Sequence, residues 1–178
     1  MSETVFHKGD KITLRTIEEE DLEFLRNGVN HPSVRVFMGN RRPQNLEEQQ
    51  DFFEGVINSD DGSAHFLVYN KDDEKAGIIS LNEKGDKAEK LGEVGLWLHP
   101  DYHGNGYGTE AAKIITRYGF RQLNYHKIYT RAYEGNKASQ RIWEKLGYEK
   151  EGVHKDHTFT QGEYKDVVYY GTLEGDWK

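Results

Sequence analysis

Gly104, Gly106 and Gly108 stand at every second position in His103-Gly-Asn-Gly-Tyr-Gly108. Before them lies Val94-Gly95-Leu96-Trp97-Leu98, an apolar run of strand length and strand composition. Pro100 closes that run, because proline has no N–H to give to a ladder. After them Thr109-Glu110-Ala111-Ala112 opens a helix-period pattern. A strand, a glycine loop and a helix start together can hold an anion. The first helical turn leaves N–H groups unpaired, and the macrodipole favours negative charge there by roughly 0.3–1 kcal/mol. Glycines allow positive φ and let phosphate oxygens approach the amides with no Cβ in the way. The glycines by themselves fit a plain surface turn as well as a pyrophosphate loop. The strand before and the helix after favour the ligand.

The type of phosphate ligand narrows by spacing. A Walker loop needs Gly-Lys-Ser/Thr at the helix start, whereas Gly108 is followed by Thr109-Glu110. The dinucleotide fingerprint is Gly-x-Gly-x-x-Gly with an acid about 20 residues on, at a strand end. Here the glycines alternate, and that position falls near Lys127-Ile128, at a strand start. Glu110 in the first helical turn works against an anion. Asn136 and Ser139 lie one helical turn apart, so both side chains can face one pocket. His99, His103, His126, His154 and His157 follow no familiar metal-ligand spacing, and there is no cysteine.

The stretch resembles the acetyl-CoA-binding motif of the GNAT acetyltransferases, Gln/Arg-x-x-Gly-x-Gly/Ala. His103-Gly-Asn-Gly106-Tyr-Gly108 follows it, with His103 where Gln or Arg is usual. The flanks Glu93-Val-Gly-Leu-Trp-Leu and Gly108-Thr-Glu-Ala111 are similar to the RimJ/RimL-like branch, which acetylates ribosomal-protein N-termini. The resemblance implies acetyl-CoA as donor and a primary amine as acceptor, attacking directly in a ternary complex, with no metal. It implies that the donor is held by Leu96, Trp97 and Leu98, by His103, Gly104, Asn105, Gly106, Tyr107, Gly108 and Thr109, and by Asn136 and Arg141. Main-chain groups of residues 96–98 would pair with the pantetheine arm like an added strand and supply the oxyanion donor. Lys137 and Arg141 would reach toward the 3′-phosphate.

Two catalytic assignments follow from the same resemblance. Glu93 matches a glutamate used as a base, directly or through water; its plain reading is an exposed strand-end acid. Many GNAT enzymes show Asn-x-x-Ala-x-x-x-Tyr, with the Tyr as general acid. Here Asn136-Lys-Ala-Ser139-Gln-Arg-Ile-Trp143 puts Trp143 at the Tyr position, and an indole N–H is too weak an acid to serve. Ser139 stands at the Ala position, as in the RimJ/RimL group. Its plain reading is a capping partner in the first helical turn. A hydrogen bond from its hydroxyl to the leaving thiolate is the expected role.

The elements that must position these groups read as one domain, 1–178, long enough for a real core. Strands are expected at residues 11–16, 64–69, 76–81, 93–98, 127–132, 148–153 and 164–173. A helix beginning in the acids Glu18-Glu-Glu-Asp21 stops before Pro32. Asn45-Leu-Glu-Glu48 starts a second in capping-box fashion. A third spans residues 111–123, with Ala111, Ile115 and Tyr118 buried and Ile114 beside them. A fourth is capped by Asn136 and stopped by Gly147. The fold class is mixed α/β with helices on both faces of the sheet. For the resembled family this means about seven mostly antiparallel, twisted strands, splayed between the fourth and fifth. The loop at residues 34–45 carries Arg35, Arg41 and Arg42, read as a solvated loop; in the family such a loop often touches the acceptor.

Charge and composition set the partners. With 31 acids against 24 bases the net charge is −7, which argues against nucleic acid. No apolar run approaches membrane length, and Met1-Ser-Glu-Thr-Val has no signal-peptide character. A cytoplasmic protein is expected. The net acidity suits a cationic acceptor, and equally serves plain solubility. Residues 120–129, Phe-Arg-Gln-Leu-Asn-Tyr-His-Lys-Ile-Tyr, and Gly162-Glu-Tyr-Lys-Asp166 are similar to spermidine acetyltransferases. The acceptor is thus read as a peptide N-terminus, with a polyamine as alternative. A non-catalytic CoA-binding or nucleotide-binding regulatory module is the second alternative. Late strands in this fold often pair between subunits, so a homodimer is expected.

Overall fold

In a computed structural model, residues 4–178 are described; the part of the signal-peptide reading that falls on Met1-Ser2-Glu3 lies outside them. Eight strands form one sheet: β1 Val5–Lys8, β2 Thr13–Arg15, β3 Ala64–Tyr69, β4 Lys75–Lys84, β5 Leu91–Leu98, β6 Lys127–Tyr133, β7 Glu149–Thr160 and β8 Glu163–Leu173. Their order is β1-β2-β3-β4-β5-β6-β8-β7. Among the described residues only β5 and β6 run parallel. Seven of these strands are those expected from the sequence. The eighth, β1, is four exposed residues, too short and too polar in surroundings to show as a periodic run.

The helices cover both faces. On one side lie α1 Leu22–Asn30, α2 Pro32–Arg35 and α3 Leu46–Phe52, which continues as a π-turn over Phe53–Ile57. On the other lie α4 Tyr107–Arg121 and α5 Lys137–Lys145. Alternation along the central strands feeds both layers. Leu67, Tyr69, Ile78 and Trp97 pack under α1, with Leu22, Leu25 and Val29. Phe66, Val68, Ile79, Leu81 and Val94 pack under α4, with Ala111, Ala112 and Ile115. Strands covered on both faces read as nearly continuous apolar runs, which is why residues 64–69 and 76–81 stand out in the sequence. Tyr118 and Ile114 are only partly buried, while Phe120 is fully in the core.

The turns follow local chemistry. Pro32 ends α1 and occupies the first turn of α2, where its missing N–H costs nothing. Asn45 Oδ1 accepts from Glu48 N at 2.9 Å and Glu48 Oε2 accepts from Asn45 N at 2.9 Å, completing the capping box. Edge strand β7 carries Glu149, Lys150, Glu151, Lys155 and Asp156 and two register shifts, features that discourage pairing with a stray strand.

The sheet opens at its parallel pair. β5 and β6 stay in register only over Leu91–Lys127, Gly92–Ile128 and Glu93–Tyr129. Thr130 Oγ1 then donates to Val94 O at 2.9 Å, and beyond that point the two strands separate. Counted over the seven strands expected from sequence, this splay lies between the fourth and fifth. Through it the first turn of α5 is reached from the α1 side.

Candidate active site

The outer half of β5 has one bonded edge and one open edge. His99 N donates to Ala76 O at 2.8 Å, so residues 97 and 95 also turn their main-chain groups toward β4. Leu96 and Leu98 turn theirs into the splay. Leu98 O is met there by His103 Nε2 at 2.9 Å, which ties the glycine loop to the strand end. A carbonyl only accepts, so His103 carries its proton on Nε2 in this contact. The open N–H and C=O of Leu96 form a short docking edge for an extended, amide-bearing chain.

The glycine loop has the geometry that its composition implies. Gly104 and Gly106 adopt φ of 78° and 81°, and Gly106 is the residue that caps α4. The helix therefore begins at Tyr107, two residues before the sequence pattern turns helical. Gly106 offers no side-chain cap, so the first-turn N–H groups remain open. Gly108 is needed for a different reason: a Cβ there would stand 2.8 Å from Ile142 Cδ1 and 3.4 Å from Leu96 Cδ2. It lets α4 approach α5 and β5. Asn105 does not face the cleft; its amide donates back to Tyr102 O and His103 O. Lys11 Nζ donates to Asn105 O at 3.2 Å and braces the loop from behind. Glu110, an unwelcome charge by its position, turns outward and accepts from Asp10 N and Lys11 N.

Two clefts follow. One, of about 510 Å³, is lined by the loop and the start of α4, including Gly104, Gly106, Gly108 and Thr109. From α5 it receives Asn136, Ser139, Arg141 and Lys145. Lys137 does not line it; Lys145, one turn beyond Arg141, does, and sequence reasoning missed it. The other cleft, of about 450 Å³, lies between α1, α3 and the sheet. Its polar floor is His65, Ser80 and Asn82, with Glu93 at the apex of the splay. Phe37, Met38, Leu96, Trp97 and Ser139 belong to both clefts. The two spaces meet at Ser139.

The side chains at this junction are held in place. Asn136 Oδ1 accepts from Ser139 N at 3.2 Å, a helix cap worth about 1 kcal/mol. Trp143 Nε1 donates to Ser139 Oγ at 3.1 Å. Glu93 is largely buried, with Oε1 2.9 Å from Arg131 Nε and Oε2 3.6 Å from Lys84 Nζ. Burial works against the Arg131 charge, but Glu93 and Tyr169 outweigh it and raise its pKa. Burial also lowers the His65 imidazole, partly offset by Asp61, so this ring is neutral near pH 7.

Several of these groups were absent from the sequence reading. Phe37, Met38 and Asn40 bring the loop at 34–45 into the α1–α3 cleft, while Arg42 reaches Glu48 at 4.0 Å. His65, Ser80 and Asn82 had a faint signal, being polar residues at inward positions of apolar strands. Register makes it visible: His65 stands beside Ser80, and Ser80 beside Gly95, across β3, β4 and β5. No group of three or more His, Asp or Glu suited to a metal occurs among the described residues, and no described helix is long and apolar enough to cross a membrane.

Comparison with known proteins agrees with this geometry. Residues 11–149 match the family described as acetyltransferase (GNAT) domain. A spermidine N(1)-acetyltransferase of Escherichia coli K12 is 31% identical over 157 residues, covering 88% of this chain and 83% of that protein. A candidate ribosomal N-acetyltransferase of Bacillus subtilis, YdaF, is 27% identical over 176 residues, covering 95% and 94%. The fold matches a Vibrio cholerae spermidine N-acetyltransferase solved with CoA and spermine, with a TM-score of 0.86 at 24% identity over 94% of this chain and 98% of that one. This chain belongs to the GNAT family and is an acetyl-CoA-dependent N-acetyltransferase.

Proposed function

We propose that the chain acetylates the α-amine of a protein N-terminus, as a cytoplasmic, homodimeric, single-domain member of the RimJ/RimL-like branch. The observation that carries this reading is the meeting of two clefts at Ser139. The donor enters from the glycine-loop side, with its pyrophosphate on the open amides of the loop and α4. Its pantetheine arm lies along Leu96 and Leu98, and Asn136, Arg141 and Lys145 close over it. The acceptor enters from the α1–α3 side, so its nitrogen and the thioester carbon meet where the clefts join.

The chemistry then needs a neutral amine and a stabilised thiolate. An α-amine of pKa about 8 costs about 1–1.5 kcal/mol to deprotonate at pH 7, and a polyamine nitrogen near 10.4 about 4–5 kcal/mol. Both Glu93 oxygens are already engaged by cations. Such a carboxylate can orient a water that accepts the proton, which suits the less basic amine. Ser139 donates a hydrogen bond to sulfur as the C–S bond breaks. Main-chain N–H groups of the open β5 edge serve the carbonyl oxygen.

A polyamine acceptor is the second reading, favoured by the Escherichia coli relative. Polycations need free carboxylates at intervals. The two that line the acceptor cleft are Glu93, paired with Arg131 and Lys84, and Glu48, which accepts from Asn45 N. The discriminating experiment is a panel of Ala- and Ser-starting peptides against spermidine and spermine, at pH 7 and 9, with light scattering for the dimer. The expected result is a kcat/KM for peptides at least tenfold above that for polyamines, rising with pH and levelling near pH 8. The reverse order would overturn the N-terminal reading in favour of polyamines. Acetyl-CoA binding with no turnover of any amine would leave only a regulatory module.

A further inference from the structure

Trp143 occupies the position where a tyrosine acid is common in the resembled family, and its ring is 1% exposed. It is wedged 5.1 Å from the Tyr148 ring, whose hydroxyl is in turn bonded to Thr116 Oγ1 at 2.7 Å. The indole therefore has little freedom, and its N–H points at one atom, Ser139 Oγ, 3.1 Å away. An indole nitrogen donates only, while a hydroxyl has one proton and two lone pairs. The Trp143 bond fills one lone pair and leaves the Ser139 proton unclaimed. Among the described residues nothing accepts that proton, even though serines in helices commonly return it to a carbonyl one turn back. The oxygen is thus pinned, and the one polar hydrogen left over stands where the clefts meet.

We propose that Trp143 is a positioning residue: its indole N–H fixes the Ser139 oxygen so that the hydroxyl proton is presented to the sulfur of acetyl-CoA. This inference rests on the transferase reading and on Ser139 touching the donor. In the step itself, the neutral amine nitrogen bonds to the acetyl carbon, the C–S bond breaks and its electron pair moves to sulfur. The Ser139 hydroxyl hydrogen-bonds that thiolate throughout and keeps its proton. The ammonium substrate loses two protons overall; one ends on CoA as the thiol and one in solvent. Accepting a bond from Trp143 polarises the hydroxyl and makes it a better donor.

The test is a cycle of Trp143→Phe, Ser139→Ala and the double variant, read as kcat with one amine, together with acetyl-CoA affinity. Trp143→Phe keeps an aromatic ring and removes the N–H. Incorporating 3-benzothienylalanine at 143 does the same with the shape of the indole kept, and serves if the phenylalanine variant folds poorly. The expected result is a five- to tenfold loss of kcat, the size of one hydrogen bond, with acetyl-CoA affinity unchanged. In the Ser139→Ala background the same change at 143 should cost nothing more. Equal losses in both backgrounds would show a packing effect and overturn the inference, as would no loss in the parent. If Ser139→Ala is itself fully active, the role of Ser139 falls and the inference with it. If Ser139→Ala is impaired while both indole replacements are not, only the inference falls.

Discussion

Gly106 combines two constraints in one residue. Its φ of 81° is costly for any side chain, and a Cβ there would stand 3.0 Å from Lys11 Nζ. The same residue caps α4 and exposes the amides that face the cleft proposed for the donor. Gly106→Val should therefore weaken acetyl-CoA binding at least tenfold by calorimetry and lower stability by about 1–3 kcal/mol. Gly135→Ala, where a Cβ meets nothing within 4 Å, should do neither. An unchanged affinity in Gly106→Val would mean that the loop does not hold the donor. This loop was legible in the sequence because alternating glycines after a strand leave few conformations to choose from. The pinning of Ser139 was not. Trp143 could be dismissed as an acid from its chemistry alone, but its donor role depends on a ring orientation set by Tyr148 and by burial.

At the scale of elements, the close approach of α1 to β5 shapes the cleft proposed for the acceptor. Gly28 lies under Trp97, and a Cβ there would stand 2.0 Å from the Trp97 ring. Phe24 stacks on the same ring at 5.6 Å, so the indole cannot move aside freely. In Gly28→Ala, a helix-propensity gain of about 1 kcal/mol competes with overpacking of about 1–3 kcal/mol. Because the ring is held, overpacking should win. The melting temperature should fall by about 2–5 °C, and KM for the acceptor should rise, since Trp97 lines both clefts. A variant as stable as the parent would contradict this packing account. Long apolar strands and capped helices were readable because local periodicity and caps agree with the fold. Short β1 and α2 escaped because four residues carry no period. The far half of β7, residues 154–160, escaped because it is polar, as an exposed edge strand must be.

At the scale of the molecule, the proposed function depends on where one sheet fails to close. β8 inserts between β6 and β7, and β5 and β6 part after Glu93 and Tyr129. Neither feature follows from any local stretch of sequence; the splay came only with the family resemblance, and the strand order only with the structure. The opening brings α5 to both faces and joins two clefts at Ser139. The most direct test of that geometry is a crystal structure with a conjugate of CoA joined through an acetyl link to a peptide α-amine. The pantetheine arm should run along Leu96 and Leu98, with sulfur within about 3.5 Å of Ser139 Oγ and the peptide over Ser80 and Asn82. A sulfur beyond hydrogen-bond reach of Ser139, or a peptide lying outside the α1–α3 cleft, would contradict the account.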